Sequence, residues 1–253
     1  MEKVNFKNSR NLNLVGNFYS TDSGSVIVMA HGFTGDKSEW GRFDKTAEAL
    51  NKAGYNVLAF DFSGSGESDN DSLTVDKQVD DLNCAIRFVS DRGFKNIGLL
   101  GLSLGGLISL KVYSPEKNIK TMVLWAPVTA KKNNYAEQKF TAEEIKELKE
   151  KGYITKIREE GSHRRVIIID KQMIKDRESV NQKELLANIK CPVLIIHGDK
   201  DESVPLEDSK SAIKYLSSES KLEIIEGADH QFTKQLDAII NLTTNWFLNK
   251  MKI

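Results

Sequence analysis

The stretch Asn96-Ile97-Gly98-Leu99-Leu100-Gly101-Leu102-Ser103-Leu104-Gly105-Gly106-Leu107-Ile108 decides how this chain is read. Asn96–Leu100 is a short apolar run of the kind that forms a buried strand, and Gly106–Tyr113 continues as a helix. Ser103 therefore falls on a strand-to-helix turn, where strained backbone pushes the hydroxyl out of the sheet edge toward a substrate. Gly101 and Gly105 allow strand and helix to pass close to that turn. A Gly-x-Ser-x-Gly pattern alone is common, and a serine at a helix start can simply satisfy backbone N–H groups. The surroundings must decide.

Outward from Ser103, strand and helix patterns alternate, which predicts a mainly parallel sheet with helices on both faces. Val4–Lys7 and Leu12–Tyr19 read as an opening antiparallel hairpin. Ser25–Ala30, Asn56–Asp61, Lys95–Leu100, Lys120–Trp125, Pro192–His197 and Lys221–Glu226 read as strands. Ser25–Ala30 is apolar almost throughout, as expected of a strand buried on both faces. Helices are predicted over Glu39–Ala53, Val75–Ser90, Leu206–Leu216 and Thr233–Asn249.

This rhythm breaks between about Val128 and Glu184. Thr141-Ala142-Glu143-Glu144 is a capping box, with Phe140 and Ile145 placed as a hydrophobic staple and Gly152 as a left-handed stop. Tyr153–Arg158 and Arg164–Asp170 flank a Glu-Gly-Ser turn and read as a hairpin. The segment is highly charged and has only short apolar patches. The expected organisation is an α/β core over 1–127 and 185–253, with 128–184 inserted as a lid.

At 253 residues the chain can bury a full core. Its 36 Lys and Arg balance 36 Asp and Glu, so no net charge draws it to nucleic acid or an anionic surface. The opening Met1-Glu2-Lys3-Val4-Asn5-Phe6 lacks a signal core, and no apolar run approaches membrane-spanning length. Cys84 and Cys191 have neither metal-ligand spacing nor a catalytic surround. These features predict a cytoplasmic protein without stable membrane insertion; a homodimer is compatible with them.

A serine hydroxyl needs a base, and the base needs a carboxylate to orient it. His230 lies in Gly227-Ala228-Asp229-His230-Gln231-Phe232, on the loop after the strand Lys221–Glu226. That loop opens at the carboxyl end of a core strand, the edge where Ser103 emerges and where open α/β sheets place ligands. His163 falls in the lid hairpin, His197 at a strand end, and His31 reads as a structural hydrogen-bonding residue. In His197-Gly198-Asp199-Lys200-Asp201-Glu202, Asp201 has the reach toward His230, whereas Asp199 suits the turn itself. The order Ser103, Asp201, His230 is the one expected of hydrolases on this sheet. Oxyanion donors are expected from the backbone N–H of Leu104 and of Phe33, the latter in His31-Gly32-Phe33-Thr34-Gly35 after the strand Ser25–Ala30.

These residues, together with Asp61-Phe62-Ser63-Gly64-Ser65-Gly66-Glu67-Ser68, resemble the α/β-hydrolase superfamily of serine hydrolases over nearly the full chain. Within it the chain is similar to small bacterial carboxylesterases, including cinnamoyl (feruloyl) esterases, which carry a lid at the same place. The resemblance implies hydrolysis of a small to medium ester, including aryl or hydroxycinnamoyl esters, through an acyl-enzyme at Ser103, with no metal or organic cofactor. A thioesterase, monoacylglycerol lipase, amidase or acyl-peptidase would use the same triad, and a receptor that has lost turnover could keep the fold. Phe33, Trp40, Trp125, Tyr135, Phe140 and Tyr153 are the aromatic candidates to line a pocket between core and lid.

Overall fold

The computed structural model describes residues 1–158 and 163–253. The turn read at Glu160-Gly161-Ser162 lies outside the described residues.

The apolar runs become strands in an eight-stranded sheet. An opening hairpin of β1 (Glu2–Lys7) and β2 (Asn13–Tyr19) leads to β3 (Ser25–Ala30), α1 (Arg42–Lys52) and β4 (Asn56–Phe60). A two-residue strand, β5 (Ser72–Leu73), precedes α2 (Val75–Asp91), and β6 (Asn96–Leu102) feeds α3 (Leu104–Val112) and β7 (Ile119–Trp125). The chain then leaves the sheet through α4 (Tyr135–Lys139), α5 (Ala142–Lys151), β8 (Tyr153–Ile157), β9 (Val166–Asp170), α6 (Lys171–Glu178) and α7 (Gln182–Ala187). It returns with β10 (Val193–Gly198), α8 (Leu206–Ala212), β11 (Lys221–Ile225) and α9 (Leu236–Lys250).

The strand order is β1-β2-β4-β3-β6-β7-β10-β11. The β1–β2 and β2–β4 pairings are antiparallel, and every other pairing in this sheet is parallel. The chain moves from β3 outward to β4, then crosses to β6 on the other side of β3. This reversal opens a crevice beyond the carboxyl ends of β3 and β6, where such sheets bind ligands.

Period-two alternation divides the core into two layers. Val26, Val28 and Ala30 of β3 pack with Leu82 and Ile86 of α2 and with Leu107 and Ile108 of α3. Ile27 and Met29 face the opposite layer, with Phe43, Ala47 and Leu50 of α1 and Ile239 and Phe247 of α9. All six residues of β3 are buried, as its unbroken apolar run requires.

Two helices begin later than their apolar spacing predicts. Glu39, Trp40 and Gly41 all have positive φ (47°, 55° and 83°), so α1 starts only at Arg42. At the other end, the Asp229 carboxylate accepts the N–H groups of Gln231 and Thr233, and Phe232 takes a φ of 53°. This side-chain-closed turn delays α9 to Leu236.

In the excursion after β7, the capping box of α5 is complete: Thr141 Oγ1 accepts from Glu144 N, and Glu144 Oε2 accepts from Thr141 N. The helix closes on Gly152 at φ 81°. The strands β8 and β9 pair antiparallel, Tyr153 with Asp170 through Ile157 with Val166. Residues Ser72 and Leu73 of β5 pair in parallel with Ile168 and Ile169 of β9, which ties the excursion to the loop before α2. The short elements α4, α6, α7 and β5 have too few residues for a readable period, and α7 runs across position 184.

Candidate active site

Ser103 stands between β6 and α3 with φ 54° and ψ −113°, a region that L side chains rarely adopt. Its backbone is held from several directions. Ser103 N donates to Trp125 O (2.8 Å), while Ser103 O accepts from Gly106 N and Val128 N (both 3.0 Å). A Cβ on Gly105 would lie 2.1 Å from Ala30 O, so only glycine lets α3 start this close to β3. The strain at Ser103 is thereby built in by its neighbours, and the hydroxyl is fixed at the sheet edge.

The loops after β10 and β11 bring the acid and the imidazole to that hydroxyl. Lys200 N donates to Ala228 O (3.0 Å), and Asp199 Oδ1 accepts from Gly227 N (2.7 Å), so the loops are bonded side by side. His230 Nε2 lies 3.0 Å from Ser103 Oγ, and His230 Nδ1 lies 2.6 Å from Asp201 Oδ2. Asp199 thus faces Gly227, and Asp201 faces the imidazole.

Asp201 has more partners than the spacing suggests. Its Oδ1 accepts from Ser203 N (2.8 Å) and Val204 N (2.9 Å), and His197 Nε2 lies 3.2 Å from Oδ2. Burial alone would raise its pKa. The hydrogen bonds from His197 and His230, the His230 charge and the Val204 N–H outweigh burial and hold the carboxyl below its ordinary range. His197 is fully buried and also contacts Ser209 Oγ (2.7 Å) and Val204 O (3.0 Å). Its position at a strand end was visible in sequence, but its contact with Asp201 was not. His31 is buried, contacts Gly32 O through Nδ1 (2.9 Å) and accepts from Phe62 N through Nε2 (3.2 Å). His163 is exposed.

Phe33 and Leu104 border the same cavity as Ser103 and His230. Leu104 opens α3, so its N–H points away from the helix along the positive end of the dipole. The loop carrying Phe33 is gripped by Glu39, a carboxylate only 2% exposed. Glu39 Oε1 accepts from Gly32 N (2.6 Å), and Oε2 lies 3.2 Å from Arg42 Nη2. A Cβ on Gly35 would meet Glu39 Oε1 at 2.4 Å, so the loop folds directly onto this carboxylate. The left-handed turn Glu39-Trp40-Gly41 aims Glu39 inward, and no local sequence signal marks such a turn.

The cavity measures about 440 Å³, within the range of small-molecule sites. Of the aromatic candidates, Phe33, Trp40 and Tyr135 border it. Three others do not. Trp125 is fully buried, packed edge-on against Phe43 and Phe232, with its indole N–H donated to Thr243 Oγ1 (2.9 Å). It alternates with Leu124 and so buries its ring in the α1–α9 layer, although its backbone ends β7 beside Ser103. Phe140 is buried against Tyr135, with ring centroids 6.1 Å apart, and supports the wall from behind. Tyr153 lies on β8 beneath Lys151, 5.9 Å from the ring centroid. The polar lining that aromatic reasoning overlooked includes Arg42, Lys132, Gln138, Lys139 and Arg177.

Among the described residues, no group of three or more His, Cys, Asp or Glu is arranged to hold a metal ion. No helix among them is long and apolar enough to cross a membrane.

A mostly parallel sheet with serine, acid and histidine on the loops after β6, β10 and β11 has the architecture of the α/β hydrolases. Known proteins agree. The family model described as serine aminopeptidase, S33, matches residues 21–184, and the dienelactone hydrolase family model matches residues 178–244. A monoglyceride lipase homolog of Monkeypox virus is 23% identical, over 90% of this chain and 91% of its own length. The mitochondrial palmitoyl-protein thioesterase ABHD10 of Bos taurus is 27% identical, over 75% of this chain and 62% of its own. Among solved structures, Est1E of Butyrivibrio proteoclasticus with bound ferulic acid superposes with a TM-score of 0.78 at 21% identity, covering 98% of both chains. The monoacylglycerol lipase of Paleococcus ferrophilus superposes with a TM-score of 0.76 at 20% identity, covering 94% of this chain and 99% of its own. The chain belongs to the serine aminopeptidase, S33, family. It is a hydrolase of the α/β-hydrolase superfamily.

Proposed function

We propose that this hydrolase is a serine carboxylesterase that cleaves small to medium carboxylic esters through an acyl-enzyme at Ser103. The observation that carries the reading is the continuous hydrogen-bond chain from Ser103 Oγ to His230 Nε2 (3.0 Å) and from His230 Nδ1 to Asp201 Oδ2 (2.6 Å). In this reading His230 takes the Ser103 proton as Oγ attacks the ester carbonyl. Asp201 holds the imidazole in the tautomer with its free lone pair toward serine and stabilises the imidazolium that forms. The N–H groups of Phe33 and Leu104 receive the developing oxyanion, each worth about 3 kcal/mol at the transition state. His230 then protonates the departing alcohol. Water, activated by the same base, attacks the acyl carbon and frees Ser103.

The segment 128–184 acts as the lid. Tyr135, supported by Phe140, forms part of its wall over the site, and the β5–β9 pairing anchors it to the core. Phe33, Trp40 and Tyr135 offer apolar rings for an acyl or aryl group. The ferulic acid bound to the structurally similar Est1E makes a hydroxycinnamoyl ester a natural member of the substrate panel.

Ser103→Ala is expected to abolish hydrolysis of p-nitrophenyl butyrate and labelling by a fluorophosphonate probe. Substantial turnover by a folded Ser103→Ala protein would refute the assignment. Parallel rates on p-nitrophenyl esters, an acyl-CoA and an aminoacyl amide separate esterase from thioesterase and peptidase. A receptor without turnover would leave the probe unreacted.

A further inference from the structure

One side of the cavity carries positive charge that the hydrolytic machinery does not use. Arg177 on α6 is 7% exposed, yet among the described residues no carboxylate oxygen lies within 4.0 Å of it. Its Nη1 donates to Ala130 O (3.3 Å), and its guanidinium sits 5.2 Å from the centre of the Tyr135 ring. Lys132 and Lys139 border the same space. Lys132 Nζ donates to the Ser203 carbonyl (3.3 Å), and neither lysine has an ion-pair partner among the described residues.

Nearby cations are treated differently. Arg42 is paired with Glu39, Lys156 with Glu144 (2.8 Å), and Arg158 with Asp36 (3.5 Å). Among the described residues, the carboxylates that border the cavity are Glu39, already committed to Gly32 N–H and Arg42, and Glu202, which is exposed. Asp208 feels the charges of Arg177 and Lys132 only from beyond ion-pair distance. Desolvation and the neighbouring ammonium groups of Lys132 and Lys156 push the Lys139 pKa down. A buried guanidinium held by Tyr135 and a backbone carbonyl, with Asp208 only at a distance, is costly unless a counter-ion arrives. A bound anion supplies one, in charge-assisted hydrogen bonds that suit the planar fork of arginine.

We infer that the ester accepted here carries an anionic group, carboxylate or phosphate, held among Arg177, Lys132 and Lys139 while its ester carbonyl lies at Ser103. This deepens the esterase reading and rests on it. The balanced overall charge of the chain concealed the feature, because the cations are gathered locally and not in the composition.

Two matched pairs test it: p-nitrophenyl hemiglutarate against p-nitrophenyl butyrate, and 1-butyrylglycerol 3-phosphate against 1-butyrylglycerol. The anionic member of at least one pair is expected to have kcat/KM about tenfold higher, carried by KM. The advantage should shrink as NaCl is raised, because salt screens the attraction. The pair that responds identifies the anion. The readout in variants is the anionic-to-neutral ratio within a pair, which cancels a general loss of folded enzyme. Arg177→Gln should reduce that ratio about tenfold, with Arg177→Lys restoring part of it, and Lys139→Gln should reduce it about threefold. Turnover of the neutral esters with no anionic preference in either pair would overturn the inference, as would a ratio unmoved by both variants and by salt. Absence of all turnover, with no fluorophosphonate label on Ser103, would overturn it by removing the esterase reading beneath it.

Discussion

Glu39→Gln tests whether the buried carboxylate behind the Phe33 loop sets the oxyanion geometry. Glutamine preserves volume, and its amide oxygen can still accept from Gly32 N–H. The bond changes from charge-assisted at 2.6 Å to neutral, a loss of about 1 kcal/mol. The other half of the amide presents N–H donors to Arg42 Nη2, which now sits 3.2 Å from a carboxylate oxygen. That guanidinium side chain is only 13% exposed, so losing its partner costs about another 1 kcal/mol. A total near 2 kcal/mol, expressed at the transition state, corresponds to about thirtyfold in kcat. The ceiling is the loss of a whole oxyanion donor, about 10²–10³. The assay is kcat and KM measured separately on p-nitrophenyl butyrate, with urea denaturation of the same preparations. We expect kcat to fall ten- to thirtyfold with KM within about twofold, because the ground-state carbonyl makes less use of the donor than the oxyanion does. Gly35→Ala strikes the same contact from the other side, since its Cβ would lie 2.4 Å from Glu39 Oε1, and should share that signature. A Glu39→Gln enzyme that is destabilised yet keeps kcat within twofold would refute the link between this carboxylate and the donor.

Asp201→Asn should lower kcat by about 10⁴ through loss of the correct imidazole tautomer, whereas Asp199→Ala, which removes only the bond to Gly227 N, should cost about 1 kcal/mol in urea denaturation and keep activity within tenfold. Gly105→Ala should yield no soluble folded protein, because its Cβ would sit 2.1 Å from backbone Ala30 O, while Gly24→Ala, with nothing within 4 Å, should match wild type in expression and melting temperature. Glu67, hydrogen-bonded by Lys3 and Lys37, has its pKa lowered from 4.5 to about 2. Its folded pKa is depressed, so its stabilisation is present above pH 4.5 and is lost as pH falls toward 2. With the side chain about a third exposed, screening reduces that contribution to about 1 kcal/mol. Glu67→Gln should therefore be less stable than wild type at pH 7, with the difference closing across that acid window in urea titrations.

Where local chemistry is strong, the fold and the site are legible in the sequence. An unbroken apolar run has little choice but to become an interior strand, and β3 does so with every residue buried. The glycines around Ser103 encode a close approach that any other residue would block, so the strand–turn–helix context of the elbow can be read directly. Asp201 and His230 follow because their loops open at strand carboxyl ends on the same edge. Trp125 is a residue whose burial follows from strand alternation. Period-two alternation along β7 assigns its ring to the layer of α1 and α9, together with Val123, and so takes the ring out of the cavity wall.

The residues that set charge inside the cavity belong to another category. Glu39 reaches Gly32 only because three consecutive left-handed residues turn it inward, and two of those are not glycine. Arg177 and Lys139 come from separate short helices, α6 and α4, that tertiary packing brings to the same wall. In sequence each is one more cation among 36. Catalytic groups must be held by backbone of unusual shape, and such backbone leaves marks in glycine spacing and strand ends. A specificity group on an inserted segment needs only a side chain of the right charge and length. Its position is set by how the segment folds onto the core, so it leaves no local pattern. The arrangement around Ser103 is therefore written in motifs, while the cationic lining proposed to choose the ester depends on how α4 and α6 pack.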